Sequence, residues 1–144
     1  MREEVVSGFS RTVRLAHHGR DAVEAHAREA MPEECCGLLL GTGCEIVDLV
    51  RAGNIADDPL SRFLIAPEDH FAARRAARAR GLDVVGFYHS HPRSPAEPSA
   101  RDLAEFSYPD HLYLIVGLSV EPAEIGLFRF EGGNFQRVAF VTVA

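Results

Sequence analysis

The chain contains no lysine: all 15 of its basic residues are arginine. It therefore has no side-chain ammonium with which to form a Schiff base or accept an isopeptide tag. Cysteine is scarce and odd in number, two of the three (Cys35, Cys36 and Cys44) are adjacent, and no secretory signal precedes them. A disulfide framework is thus not expected, and a reducing cytoplasm fits best. Long apolar runs are also missing. The longest, such as residues 112–118, falls far short of the roughly 20 residues a helix needs to span a bilayer. Positive charge is in deficit as well: a formal charge of -6 and a pI near 5.6 argue against nucleic acid or anionic lipid as partners, because such binding needs a basic surface. Internal repeats and low-complexity tracts are absent.

What remains is an ordinary globular composition. With 47% hydrophobic and 25% charged residues over 144 positions, the chain is expected to form a single domain over residues 1–144 around one core. Residues 12–16 alternate like a short strand, and Asp21 is placed to cap an alanine-rich helix that ends near Ala30, before Pro32. Residues 36–40 and 45–50 read as a hairpin turning at Gly41, Thr42 and Gly43. Residues 54–61 form a loop leading to a short strand at 63–65. Pro67 opens a second helix, Glu68 and Asp69 favour its positive end, and Gly81 supplies a left-handed stop after Arg80. The arginines at 74, 75, 78 and 80 fit a solvated helix face. Residues 82–88 form a strand running into His89, and Ser99 caps a short helix through about Phe106. Three more strands follow at 112–118, 124–130 and 135–143, the last pair turned by Gly132 and Gly133. Strands alternating with helices early and a meander late predict an α/β fold, a mixed sheet flanked by helices.

One constellation carries chemistry. In His89-Ser90-His91-Pro92 two imidazoles stand two residues apart at a strand end, so an extended backbone points both to one side. Asp102 lies eleven residues beyond His91 in the first turn of the helix that Ser99 caps. A returning loop of that length brings a carboxylate beside two strand-borne histidines. Two nitrogens and one oxygen are a normal ligand set for catalytic zinc, with the fourth position left for water. Each part has a plainer reading. A lone histidine is usually structural, and Ser-x-x-Asp at a helix start is an ordinary capping box. Their ordered combination favours the metal. Cys35 and Cys36 lack a second spaced pair and read as structural, while His17, His18, His26, His70 and His111 have no motif around them.

The run from His89 to Pro92, six further residues, and then Ser99-Ala100-Arg101-Asp102 resembles the H-x-H-P-x6-S-x-x-D signature of the JAMM (MPN-plus) metalloproteases. Upstream, Pro32-Glu33-Glu34-Cys35-Cys36-Gly37 is similar to that family's glutamate segment, in which a glutamate stands three residues before the glycine of a buried strand. The resemblance covers about residues 12–140. It implies a curved, largely antiparallel mixed sheet similar to that of the cytidine deaminases, one Zn2+ with a catalytic water held by His89, His91 and Asp102, Glu34 rather than Glu33 as general base, and Ser99 as support for the oxyanion. The chain lacks the extra loops with which eukaryotic deubiquitinases of the family grip linked ubiquitins.

The resemblance therefore implies a zinc-dependent peptidase or isopeptidase, with the C-terminal tail of a small ubiquitin-like or sulfur-carrier protein as substrate and release of an amino acid from a carrier adduct as the favoured reaction. A deubiquitinase-like isopeptidase and a non-catalytic interaction module of the same fold are the alternatives. A nucleobase deaminase ranks last, since the H-x-E and P-C-x-x-C elements of that chemistry are missing.

Overall fold

The computed structural model describes residues 12–105 and 108–144, and of residues 103–105 the backbone alone. Its elements are β1 (Val13–Ala16), α1 (His17–Ala30), β2 (Cys36–Thr42), β3 (Glu45–Ala52), α2 (Pro67–Ala79), β4 (Asp83–His91), α3 (Ala100–Glu105), β5 (Leu112–Gly117), β6 (Glu124–Glu131), β7 (Asn134–Arg137) and β8 (Phe140–Val143). The eight strands form one sheet in the order β7-β6-β5-β4-β2-β3-β1-β8. β1 runs parallel to β3 and β8, and β4 parallel to β5; the remaining pairs are antiparallel.

Alternation along the strands divides the interior into two cores. Leu39, Tyr88, Leu112, Leu114 and Val116 meet Val23 and Ala27 of α1 on one face. Leu38, Leu40, Phe87, Tyr113 and Ile115 meet Ala73 and Ala77 of α2 on the other. Burial on both faces explains why β2 and β5 read as continuous apolar runs. The helices are made for close approach, since each presents small residues to the sheet. Among the described residues no helix is long and apolar enough to cross a membrane.

The structure revises several local expectations. α1 begins at His17, directly after β1, with Ala16 at its N-cap and no side-chain cap. Asp21 is therefore inside the helix: the chain reverses at once from sheet to helix, and packing of Val23 and Ala27 overrides the capping preference. Residues 63–65 are no strand, because Ile65 makes a single bridge to Asn54. The strand expected over 135–143 is two strands at opposite edges of the sheet. The expected helix end at Phe106 lies outside the described residues.

That last split closes the fold. Only Val138 and Ala139 separate β7 from β8, yet β7 pairs with β6 and β8 with β1. The Val138 N–H donates to the Leu127 carbonyl at 2.8 Å, and the next carbonyl, Ala139, accepts from the Val13 N–H at 3.0 Å. The sheet must curl until its two edges share one connection. Val138 is 3% exposed at this junction, whereas Val141 on β8 is 49% exposed. Val138→Ala is accordingly expected to cost about 1–3 kcal/mol in urea unfolding followed by circular dichroism, and Val141→Ala less than about 0.5 kcal/mol. Equal costs for the two would show that Val138 does not pin the closure.

Candidate metal centre

β4 is a central strand, paired with β2 on one side and β5 on the other, and its last residues carry the candidate ligands. Register places Cys36 opposite His89, and His89 and His91 opposite Ile115 and Gly117. The pairing of β2 with β4 continues past the end of β2. Cys35 N–H donates to Ser90 Oγ at 2.9 Å, and Ser90 N–H to the Cys35 carbonyl at 3.1 Å. This clamp carries Glu34 forward to the level of His91. Both histidines share the sheet face of Phe87, the α2 side.

The ligand atoms converge closely. His89 Nε2 and His91 Nε2 are 3.1 Å apart, and each lies 3.2 Å from an oxygen of Asp102. A tetrahedral ion with bonds of about 2.0–2.1 Å needs ligand atoms roughly 3.3 Å apart, so the spacing fits zinc. The protonation pattern agrees with that fit. His91 Nδ1 stands 2.8 Å from the Pro95 carbonyl, which can only accept, so Nδ1 carries the proton and neutral His91 turns a lone pair at Nε2 toward the Asp102 carboxylate. Acceptors aimed at one another in a buried site call for a cation between them. All three residues are buried, at 3%, 5% and 7% exposure. Among the described residues they are the one histidine, cysteine, aspartate and glutamate group arranged to hold a metal.

The charges are balanced around the carboxylate. Burial opposes ionisation of Asp102, but in the metal-free protein the two facing imidazoles, which donate to it only when protonated, and the Ser99 N–H hold its carboxyl far below the usual range. Burial also dominates at His89 and lowers its pKa despite Asp102. At His91 burial is outweighed by Asp102 and the Pro95 carbonyl, and the pKa rises.

The two further candidates, Glu34 and Ser99, border this group. Glu34 is 8% exposed and its Oε1 is buried with no hydrogen-bond partner among the described residues. Glu33, by contrast, is exposed. The Glu34 backbone is fixed by its N–H to the Pro59 carbonyl at 2.8 Å and by Asn54 Nδ2 to its own carbonyl at 2.9 Å. Burial pushes its carboxyl up to about 7, against the pull of His91, Arg101 and Arg93. Ser99 forms a reciprocal capping box with Asp102: Asp102 N–H donates to Ser99 Oγ at 3.1 Å, and Ser99 N–H to Asp102 Oδ2 at 2.9 Å. Its hydroxyl acts there as acceptor, which leaves the hydroxyl proton free for another partner.

Sequence reasoning did not identify Phe63, Ser90 or the Pro95 carbonyl as parts of this site. The Phe63 ring stacks on His89 with centroids 4.3 Å apart; read only as part of a short strand, it gave no sign of that contact. A backbone carbonyl has no sequence signature at all. The cysteines stay outside the cluster. Cys35 and Cys36 are buried thiols, pushed up by burial to about 11 and about 12, which keeps them protonated and poor as ligands. His111 lies against Phe87, and His26 bonds Tyr88.

Known proteins place the chain in context. Residues 17–131 match the family of prokaryotic homologs of the JAB domain. A desampylase of Haloferax volcanii is 38% identical over 107 residues, covering 70% of this chain and 77% of that protein. A probable TtuB-protein conjugate cleaving protease of Thermus thermophilus is 34% identical over 85 residues, 59% of this chain and 57% of its relative. A Desulfitobacterium hafniense protein solved in solution superposes with a TM-score of 0.83 at 28% identity, covering 92% of this chain and 93% of that one. A JAB1/MPN domain protein from Archaeoglobus fulgidus shares the fold, with a TM-score of 0.60 at 21% identity over 94% and 99% of the two chains. With a family match over most of its length and a curled mixed sheet like that of its JAB1/MPN neighbours, the chain belongs to the prokaryotic JAMM/MPN family.

Proposed function

We propose that this chain is a zinc-dependent peptidase or isopeptidase that hydrolyses an amide bond at the C-terminal tail of a small ubiquitin-like or sulfur-carrier protein. The observation that carries the proposal is the convergence of three buried side chains, the two imidazole Nε2 atoms 3.1 Å apart and each 3.2 Å from an oxygen of Asp102, beside a buried carboxyl with one oxygen unpartnered among the described residues. His89, His91 and Asp102 would hold the metal. Zinc bound there supplies Lewis-acid activation of water and of the attacked carbonyl.

The protein groups divide the remaining work. Glu34 Oε1, without a hydrogen-bond partner among the described residues, takes the proton of the attacking water and returns it to the departing amine. In the metal-free protein burial raises this carboxyl, and a bound cation would favour its ionised form, the form that accepts a proton from water. The Ser99 hydroxyl proton, unused by the cap, is available to the developing oxyanion, where such a donor contributes about 3 kcal/mol to the barrier. The candidate ligands are all buried, which favours a substrate segment that is slender and extended. A tail ending in glycines has no side chains to obstruct that approach. The relatives named as a desampylase and a conjugate cleaving protease support a conjugate of this kind as substrate. A non-catalytic interaction module would have no use for an unpartnered buried carboxylic oxygen.

Two substitutions separate base from ligand. Glu34→Gln should keep about one zinc per chain while cleavage of an isopeptide-linked carrier conjugate, followed by mass spectrometry, falls at least about 100-fold; undiminished cleavage would remove Glu34 as the base. Asp102→Ala should lose bound zinc in elemental analysis, and wild-type metal content in that variant would remove Asp102 from the ligands. Glu34 also predicts a pH signature. Its carboxyl ionises near 4.5 when unfolded and at about 7 when folded, so between these values the folded state holds the extra proton and stability falls as pH rises. In chelated protein Glu34→Gln should therefore exceed wild type by about 1–3 kcal/mol at about pH 8, the gap closing toward about pH 4.5. A gap independent of pH would mean that the carboxyl is not held protonated by the fold.

A further inference from the structure

The segment between His91 and α3, residues 92–98, crosses the sheet face beside the candidate ligands and is seated there by missing side chains. Gly117 is the register partner of His91, Glu124 that of Gly117, and Gly126 that of Ile115. All four therefore lie on the His91 face of adjacent strands. A Cβ at Gly117 would stand 2.6 Å from Ala96 N and 3.0 Å from the Ser94 carbonyl oxygen, and one at Gly126 would stand 2.2 Å from the Ala96 carbonyl oxygen. No side chain fits at either position while the segment stays where it is. Ala96 is 2% exposed, and its N–H donates to Glu124 Oε1 at 3.1 Å. The consequence falls one residue earlier. The Pro95 carbonyl, already accepting the Glu97 N–H at 2.9 Å, is presented to His91 Nδ1 at 2.8 Å.

We propose that Gly117, Gly126 and Glu124 form a saddle that holds the Pro95 carbonyl on His91, and that these three act as positioning residues for the metal centre by fixing the His91 tautomer with its Nε2 lone pair toward Asp102. Groups of this kind, one step removed from the ligands, typically set metal affinity by about 10–100-fold. The inference rests on the ligand assignment above for its effect on zinc, but not for its effect on the imidazole.

The test measures both. Zinc dissociation constants of the full chain are determined by competition with a chromophoric chelator, and 15N shifts of the His91 ring are recorded on metal-free protein up a pH series to the plateau at which they stop changing, so that the neutral ring is compared in every variant. Gly117→Ala should weaken zinc by at least about tenfold, Glu124→Ala should weaken it by less, and Glu124→Gln, which keeps an acceptor for the Ala96 N–H, should stay within about twofold of wild type. In Gly117→Ala and Glu124→Ala the His91 shifts should move from a pure Nδ1–H form toward a tautomer mixture. If Gly117→Ala does not fold, the Glu124 pair decides. Zinc affinity within about twofold of wild type in Glu124→Ala, or a loss of affinity with His91 shifts unchanged, would overturn the saddle. Wild-type protein that binds no zinc yet shows the tautomer shift would sink the proposed function and leave the saddle standing.

Discussion

The Asp102 carboxylate facing two imidazoles in a buried pocket is the constraint around which the rest of the structure is arranged. Two imidazole Nε2 atoms 3.1 Å apart, each 3.2 Å from one of the two Asp102 oxygens, repel these neighbours unless a cation or a shared proton lies between them, and burial removes the water that would otherwise screen them. The fold therefore has to hold the carboxylate in place by other bonds. It does so from outside the cluster: the Ser99 N–H bonds Oδ2, and the Asp102 backbone bonds Ser99 Oγ. On the opposite side the Pro95 carbonyl pins His91 and the Phe63 ring backs His89. A destabilising core is thus surrounded by ordinary stabilising contacts, as expected of sites that carry strain for function.

Position within the sheet makes this possible. β4 is flanked by a neighbour on each side, so its terminal residues are fixed by ladders to both β2 and β5. The parallel β4–β5 pair puts His91 beside Gly117, and the antiparallel β2–β4 pair, extended by the Ser90 clamp, brings Glu34 to the same level. A one-residue slip of either pairing would turn the imidazoles onto the α1 face and away from Glu34. The apolar alternation that fills both cores therefore also specifies the site, because the same period that buries Leu38 and Phe87 toward α2 orients His89 and His91.

Legibility in the sequence followed the range of the interactions. The histidine pair was readable because two-residue spacing on an extended strand is a local rule, and so were the helix opening at Pro67, the left-handed stop at Gly81 and the turn at Gly132 and Gly133, glycines that all have positive φ. Glu34 could be chosen over Glu33 only by resemblance, since nothing local says which of two adjacent carboxyls will be buried. The start of α1 was misread because Asp21 is a good capping residue in isolation, while the actual start is decided by how Val23 and Ala27 reach the sheet. The break between β7 and β8 was hidden for a similar reason. Residues 135–143 contain no glycine, proline or other turn residue to mark a break, and only closure of the sheet, a contact between its far edges, requires the chain to change partners at Val138. Phe63 belongs to the same class, since it meets His89 from a segment remote in the chain; the Pro95 carbonyl, four residues from His91, is local but carries no side-chain signature.

The Ser99–Asp102 pair shows why two readings of a motif need not compete. As a capping box the pair ends the orphaned N–H groups of α3 and is expected wherever a short helix needs a firm start. As a ligand, Asp102 must present a carboxylate in one rotamer, which an unrestrained surface aspartate does not do. The cap supplies that restraint: the bond from Ser99 N–H to Oδ2 fixes the carboxylate plane, and the remaining lone pairs stay directed at His89 and His91. An aspartate is short enough to satisfy both demands at once, with no flexible stem to disorder. The plain structural reading is then the reason the chemical one is feasible, because the cost of ordering the ligand is met by the helix that carries it.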